Sequence, residues 1–125
     1  MAIQPLPLVI LSIPLVPPSL NGYARMHWAA RTRLLDEWRE TIWALWREAG
    51  SPRYERVDVR VKIYFARARR RDQDNYTATA YKLILDSLKN HLFPDDTPDH
   101  VAMHPVTWQT DSQRPRTEVK ITPSS

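Results

Sequence analysis

One short segment combines the side chains that phosphodiester hydrolysis requires. Asp72 and Asp74 flank Gln73, and an extended backbone between them would direct both carboxylates into one pocket. Two hard oxygen donors in this arrangement suit Mg²⁺. The spacing leaves a second interpretation open, in which Asp74 only caps a helix and Asp72 is a solvated loop residue.

Basic side chains lie directly before these acids. A phosphodiesterase with a metal site needs carboxylates for the cation and positive groups for the phosphates, and a guanidinium group binds phosphate oxygens through two parallel hydrogen bonds. The alternative is a solvated basic turn that neutralises its neighbours, but four arginines exceed what two acids require. These four are Arg67, Arg69, Arg70 and Arg71.

The composition limits the classes of protein that fit. The 125 residues suffice for one domain, residues 1–125, and 18 Lys and Arg against 14 Asp and Glu, a net charge of +4, favour a polyanionic partner. The chain has no cysteine and only two glycines, which excludes thiol chemistry and a glycine-rich phosphate loop, so we expect a cytoplasmic location and no nucleotide cofactor. The apolar run Pro5 to Val16 is broken by prolines and has no basic residue before it, so we expect an edge or buried strand and no membrane segment.

Hydrophobic periodicity predicts the elements that position the acidic segment. Strict alternation from Val57 to Phe65 predicts a strand with one buried face, which leads directly into the arginines. Asp74 or Asn75 would cap the helix that follows, which reaches Leu92 before Pro94 ends it.

The remaining segments complete an α+β domain with a mixed sheet, two helices and the order β-α-β-α-β-β. Apolar residues at helical spacing begin at Trp28, and the abundance of tryptophan on this helix suggests a partner surface, such as a dimer interface. The other predicted elements are a first strand at Leu8 to Val16, a helix from Trp28 to Ala49 closed by Gly50, and a final antiparallel pair at Val101 to Trp108 and Thr117 to Thr122.

A third carboxylate depends on the path of the chain after the second helix. Asp95 and Asp96 follow Pro94, and they would join the first two acids if this loop folds back beside the start of that helix. On its own, a Pro-Asp-Asp sequence is typical of a turn.

These features together resemble the RusA-type Holliday junction resolvases, small enzymes common in phages and prophages. The resemblance spans most of the chain, and its central motif is specific because a basic run, paired acids and an asparagine stand at the end of a strand. Four features match in order: Pro17-Pro18-Ser19 with Asn21, Arg-Arg-Arg-Asp-Gln-Asp-Asn at 69–75, Asp86-Ser87-Leu88, and Asp95-Asp96 with Val101 beyond.

The resemblance implies a RusA-like fold and a homodimer that binds four-way DNA junctions and nicks two strands symmetrically with Mg²⁺ in recombination and repair. Asp72, Asp74 and Asp96 would then be the catalytic, metal-binding carboxylates. Arg71 with its neighbouring arginines, Asn75 and Asn21 would face the DNA.

One position departs from the family pattern. The family usually places a lysine three residues after the motif asparagine, where this chain has Ala78. Lys82 lies four residues later, on roughly the same helix face and about 6 Å further along the axis, and it precedes Asp86 by the four residues usual in the family. Lys82 is therefore a candidate catalytic amine, and the alternative is a surface ion pair between Lys82 and Asp86.

Two other functions remain open. A DNA-binding module with weak or no catalysis would explain the missing lysine at Ala78. A general flap or single-strand nuclease would cut a linear flap as readily as a junction.

Overall fold

The computed structural model describes residues 8–124, which form a five-stranded sheet with helices packed on one face. The elements are β1 (Val9–Ile13), α1 (Leu20–Arg25), α2 (Trp28–Glu48), β2 (Val57–Phe65), α3 (Gln73–Leu88), β3 (Val101–Met103), β4 (Thr107–Thr110) and β5 (Arg116–Pro123). The predicted α+β class and mixed sheet are confirmed. The described residues contain three helices rather than two, because the short α1 precedes the long α2.

β2 is the central strand, and its bounds match the predicted ones. β5 pairs with it antiparallel over residues Val57 to Tyr64, and β1 pairs antiparallel with the far edge of β5. β3 and β4 both run parallel to β2 along its other edge, one after the other. From Val57 to Ile63 the side chains of β2 alternate between buried and more exposed positions.

The prediction for the last two strands was wrong in two respects. Val101 to Trp108 is two short strands rather than one, since Pro105 lies between them and has no N–H for a ladder hydrogen bond. These strands do not pair with β5, which lies on the opposite side of β2. The connection crosses the end of β2, where the Asp111 N–H donates to the Phe65 carbonyl at 2.8 Å.

Several predicted boundaries also shift. β1 ends at Ile13 because Pro14 follows, and the part of the predicted strand region before Leu8 lies outside the described residues. α3 ends at Leu88 rather than at Leu92, because Asn90 adopts a left-handed conformation with φ of 63°. Asparagine tolerates this conformation better than most residues, so it ends the helix.

The core lies between the sheet and the helices, and it contains two of the four tryptophans on α2, the helix predicted to present a partner surface. Trp38 and Trp46 are 1% and 7% exposed, and Trp43 donates its indole N–H to the Ser87 carbonyl at 2.7 Å. These three side chains stabilise the chain's own fold, and of the tryptophans on α2 only Trp28 is largely exposed, at 68%. No helix within residues 8–124 is long and apolar enough to span a membrane.

Candidate active site and DNA-binding surface

The two acids of the central motif lie at the start of α3, just beyond the end of β2. Asp72 is the N-cap residue, and its Oδ1 accepts a hydrogen bond from the Asp74 N–H at 3.0 Å. The predicted cap at Asp74 or Asn75 was wrong, since the helix begins earlier, at Gln73. Asp74 lies in the first turn, and both acidic residues are exposed.

This pair of carboxylates could supply part of a magnesium site. The cap occupies one oxygen of Asp72 and leaves the other free, and Mg²⁺ commonly binds one or two protein carboxylates while waters and phosphate oxygens complete its shell. Within residues 8–124, no three His, Asp or Glu side chains are grouped so that they could hold a metal ion. The described part of one chain therefore offers two carboxylates here, without a third.

Asp96 lies near the opposite end of α3. The sixteen residues of this helix span about 24 Å, and the turn that follows is held at its C-terminal end, where Lys89 and Phe93 form a β-bridge. Lys89 also pairs with Asp95 at 3.4 Å. One chain thus does not bring Asp96 to Asp72 and Asp74.

Asp95 has structural partners of its own. The Asp96 N–H donates to Asp95 Oδ1 at 2.8 Å, and this hydrogen bond, supported by Lys89, holds the pKa of the Asp95 carboxyl below its usual range. Its neighbour Asp96 is half-buried. Within the described residues, the hydrogen bond and the ion pair of this turn are therefore made by the Asp95 carboxylate and not by that of Asp96.

The four arginines divide into two kinds. Arg67, Arg69 and Arg70 are exposed, and no carboxylate in residues 8–124 forms a salt bridge with them. Arg71 is half-buried, with its guanidinium carbon 3.6 Å from the centre of the Phe65 ring. Three arginines are thus free to bind phosphates, while Arg71 also anchors the segment to the end of β2 through a cation–π contact.

A shallow depression joins Asp72 to three of the arginines. Its lining includes Ser19, which caps α1 by accepting a hydrogen bond from the Gly22 N–H at 3.0 Å. The next residue but one, Asn21, is exposed on the first turn of α1. The lining residues are Ser19, Arg69, Arg70, Arg71, Asp72, Asn75 and Tyr76.

Hydrogen bonds from α3 to loops fix the position of this surface. Thr79 Oγ1 donates to the Pro18 carbonyl at 2.6 Å and so ties the start of α1 to α3. Gln73 Nε2 donates to the Val106 carbonyl at 2.8 Å, and the Val106 N–H donates to Thr77 Oγ1 at 3.2 Å. The helix start that bears the acids is therefore held from two sides.

Lys82 lies on the exposed stripe of α3 that begins with Asp74. Asp74, Ala78, Lys82 and Asp86 are four residues apart and are all exposed. The Lys82 ammonium lies 3.4 Å from Asp86, one turn further from the acids. In this structure Lys82 therefore forms the surface ion pair with Asp86, which is the alternative to a catalytic role.

Ser19 was predicted only as part of the matching Pro17-Pro18-Ser19 segment, without a role of its own, and Tyr76 was not predicted to belong to the site. Ser19 follows two prolines and precedes Gly22 by three residues, a pattern that fits a helix cap, but α1 is too short to show a hydrophobic period. Tyr76 is an ordinary buried aromatic in sequence, and only its edge-on contact with Phe65, at 5.0 Å, reveals its place beneath the depression.

The fold and the site define a small α+β protein whose arginine-rich, carboxylate-bearing surface suits nucleic-acid phosphates. The family model described as Endodeoxyribonuclease RusA matches residues 19–122, and the chain belongs to this family. This match confirms the resemblance found in the sequence, and it implies an endodeoxyribonuclease that acts on DNA junctions. A comparison with curated proteins found no match.

Proposed function

We propose that the protein is a Mg²⁺-dependent crossover junction endodeoxyribonuclease that resolves four-way DNA junctions by paired symmetric nicks in recombination and repair. The start of α3 carries this proposal. There Asp72 and Asp74 share one exposed surface with arginines that have no carboxylate partner in the described residues. Both charges therefore lie within eight residues at the start of a helix that is anchored from two sides.

In this proposal Asp72 and Asp74 hold the cation and the arginines hold the DNA. Magnesium, when bound, supplies activation of the attacking water and stabilisation of the leaving oxygen. Arg67, Arg69 and Arg70 bind phosphates on either side of the cut without reading bases. Because the cap hydrogen bond fixes Asp72, its carboxylate does not need to be ordered when the substrate binds.

The position of Asp96 leads us to propose a site shared between two subunits. Asp96 lies about a helix length from Asp72 in one chain, so it completes the metal shell only if a second copy presents it. A two-fold homodimer would create two equivalent sites, as paired nicking requires. In this arrangement each metal site needs carboxylates from both subunits, so the chemistry requires the homodimer.

The competing function is a junction-binding module with weak or no catalysis. It is favoured by Ala78, which leaves no amine one turn from Asp74, and by the contact of Lys82 with Asp86. Both functions predict binding that weakens with salt. They differ in what Mg²⁺ does to the bound junction.

The test uses a synthetic four-way junction labelled in turn on each strand. We expect nicks at symmetric positions on two opposed strands with Mg²⁺ and none with EDTA. Tight binding without nicks would support the binding module instead. A linear flap of the same sequence is the comparison substrate, and equal cutting of flap and junction would indicate a general flap nuclease.

The shared site has a separate test based on subunit mixing. Asp72→Asn and Asp96→Asn chains should each be inactive alone. When co-expressed they should recover roughly a quarter of the wild-type nicking, since about half of the dimers are mixed and each keeps one of its two sites intact. A mixture that stays inactive while forming mixed dimers would refute the shared site and leave the nuclease proposal standing.

A further inference from the structure

The first residue of α2 exposes a large aromatic side chain. Trp28 is 68% exposed, more than any other large hydrophobic side chain among the described residues. Its backbone is fixed, because His27 caps the helix by accepting from the Ala29 N–H at 3.2 Å and Thr32 Oγ1 donates to the Trp28 carbonyl at 3.0 Å. The His27 ring lies against the indole, at 5.4 Å between ring centres.

The surroundings of Trp28 are basic. The sequence has no Asp or Glu before Asp36, whereas Arg25, Arg31 and Arg33 fall within this stretch. No carboxylate in the described part of the chain forms a salt bridge with these three arginines. We name residues 20–33 the α1–α2 corner.

The corner is continuous with the candidate active site. Ser19, the cap of α1, lines the same depression as Asp72. The hydrogen bond from Thr79 Oγ1 to the Pro18 carbonyl holds the start of α1 against α3. The backbone from Ser19 to Trp28 spans at most about 20 Å. This corresponds to about six base steps of DNA at 3.4 Å each, within the footprint of one junction arm.

We propose that the α1–α2 corner binds the DNA beside the cut, with Trp28 stacked on a base that is unpaired or unstacked at the branch point. This inference rests on the proposed junction nuclease. An exposed aromatic ring beside arginines that form no salt bridge within residues 8–124 matches single-stranded or opened nucleic acid, where the ring stacks on a base and the cations hold the backbone. Two copies of this surface would repel each other, so the charge favours DNA over a second chain as the occupant.

The test compares binding of a four-way junction with binding of a fully paired duplex of equal length, in EDTA so that no cutting occurs. Trp28→Ala should weaken junction binding about tenfold and leave duplex binding within twofold, since one base stack is lost. Trp28→Phe should retain most of the affinity because it keeps an aromatic face. The matched control is Met103→Ala, which truncates a side chain that is 55% exposed on β3, and it should change neither affinity.

Each other outcome overturns the inference. Equal weakening on junction and duplex would make Trp28 a general contact, and no weakening would remove it from the interface. A change in mass by light scattering for Trp28→Ala would assign the side chain to a second copy. If the wild type binds and nicks junctions while Trp28→Ala behaves identically, only this inference fails. A wild type that does not bind junctions at all would refute the proposed function as well.

Discussion

Restoring an amine at position 78 should increase nicking. Ala78→Lys places a lysine one turn from Asp74, about 6 Å along the axis, whereas Lys82 is about 12 Å away. A lysine side chain reaches about 6 Å, so the new amine can reach a DNA phosphate bound beside Asp72 and Asp74. Lys82, in contrast, pairs with Asp86 at 3.4 Å. We expect the single-turnover nicking rate to rise about tenfold, below the usual contribution of a positioned proton donor.

The same substitution should leave stability nearly unchanged. An acid four residues before a lysine stabilises a helix by about 0.2 to 0.5 kcal/mol, and a like-charged pair at that spacing costs about the same. The new lysine would form the stabilising pair with Asp74 and the destabilising like-charged pair with Lys82, so the two effects offset each other. A rise in rate would therefore not reflect a more stable fold.

The assay is single-turnover cutting of a four-way junction with Mg²⁺, and Ala78→Gln is the control, since it matches the length without the charge. Equal rates for the lysine and glutamine variants would refute the reasoning about the amine. A large loss of activity in Lys82→Ala alone would show instead that Lys82 acts from its own position.

Three further predictions concern stability and binding. Tyr81→Phe should destabilise the fold by about 1 to 3 kcal/mol in urea unfolding, because the buried hydroxyl lies 2.6 Å from the His104 carbonyl and accepts from the His104 N–H at 3.2 Å; an unchanged midpoint would contradict this. The hydrogen bond from Arg116 holds the pKa of Asp111 below its usual range, so this pair stabilises the fold above about pH 4 and is lost as the pH falls further. Asp111→Asn should flatten the acid loss of stability, and an equally steep loss would refute the assignment. Arg70→Ala should weaken binding to every DNA and reduce the slope of log affinity against log salt by about one, and an unchanged slope would exclude a phosphate contact.

Local patterns predicted the elements that lie next to the site. The alternation along β2 predicted both of its ends correctly, because in a strand with one buried face successive residues alternate between apolar and polar. The acids and arginines were likewise visible, because they are consecutive in sequence. The helix cap was misplaced by two or three residues because Asp72, Asp74 and Asn75 are all good caps, and the choice among them depends on where the chain leaves β2.

Long-range geometry was not accessible in the same way. β3 and β4 pair with β2 rather than with β5. The sequences of these strands do not indicate which neighbouring strand they pair with. The position of Asp96 depends on the length of α3 and on the turn fixed by Asn90. The tryptophans of α2 illustrate the same limit, since burial separates Trp38 and Trp46 from Trp28 although all three fit one helical period.

The central claim is that the carboxylates at the start of α3 supply the chemistry. It is tested most directly by the Mg²⁺-dependent nicking rate of Asp72→Asn on a bound four-way junction. Asparagine is as good a cap as aspartate, so the variant keeps the helix start and removes only the charge. The control is Asp99→Asn, which makes the same change at an exposed acid beyond the far end of α3.

We predict that Asp72→Asn binds the junction at least as tightly as the wild type and nicks it about 100-fold more slowly or worse, while Asp99→Asn stays within twofold of the wild-type rate. Wild-type nicking by Asp72→Asn would contradict the account.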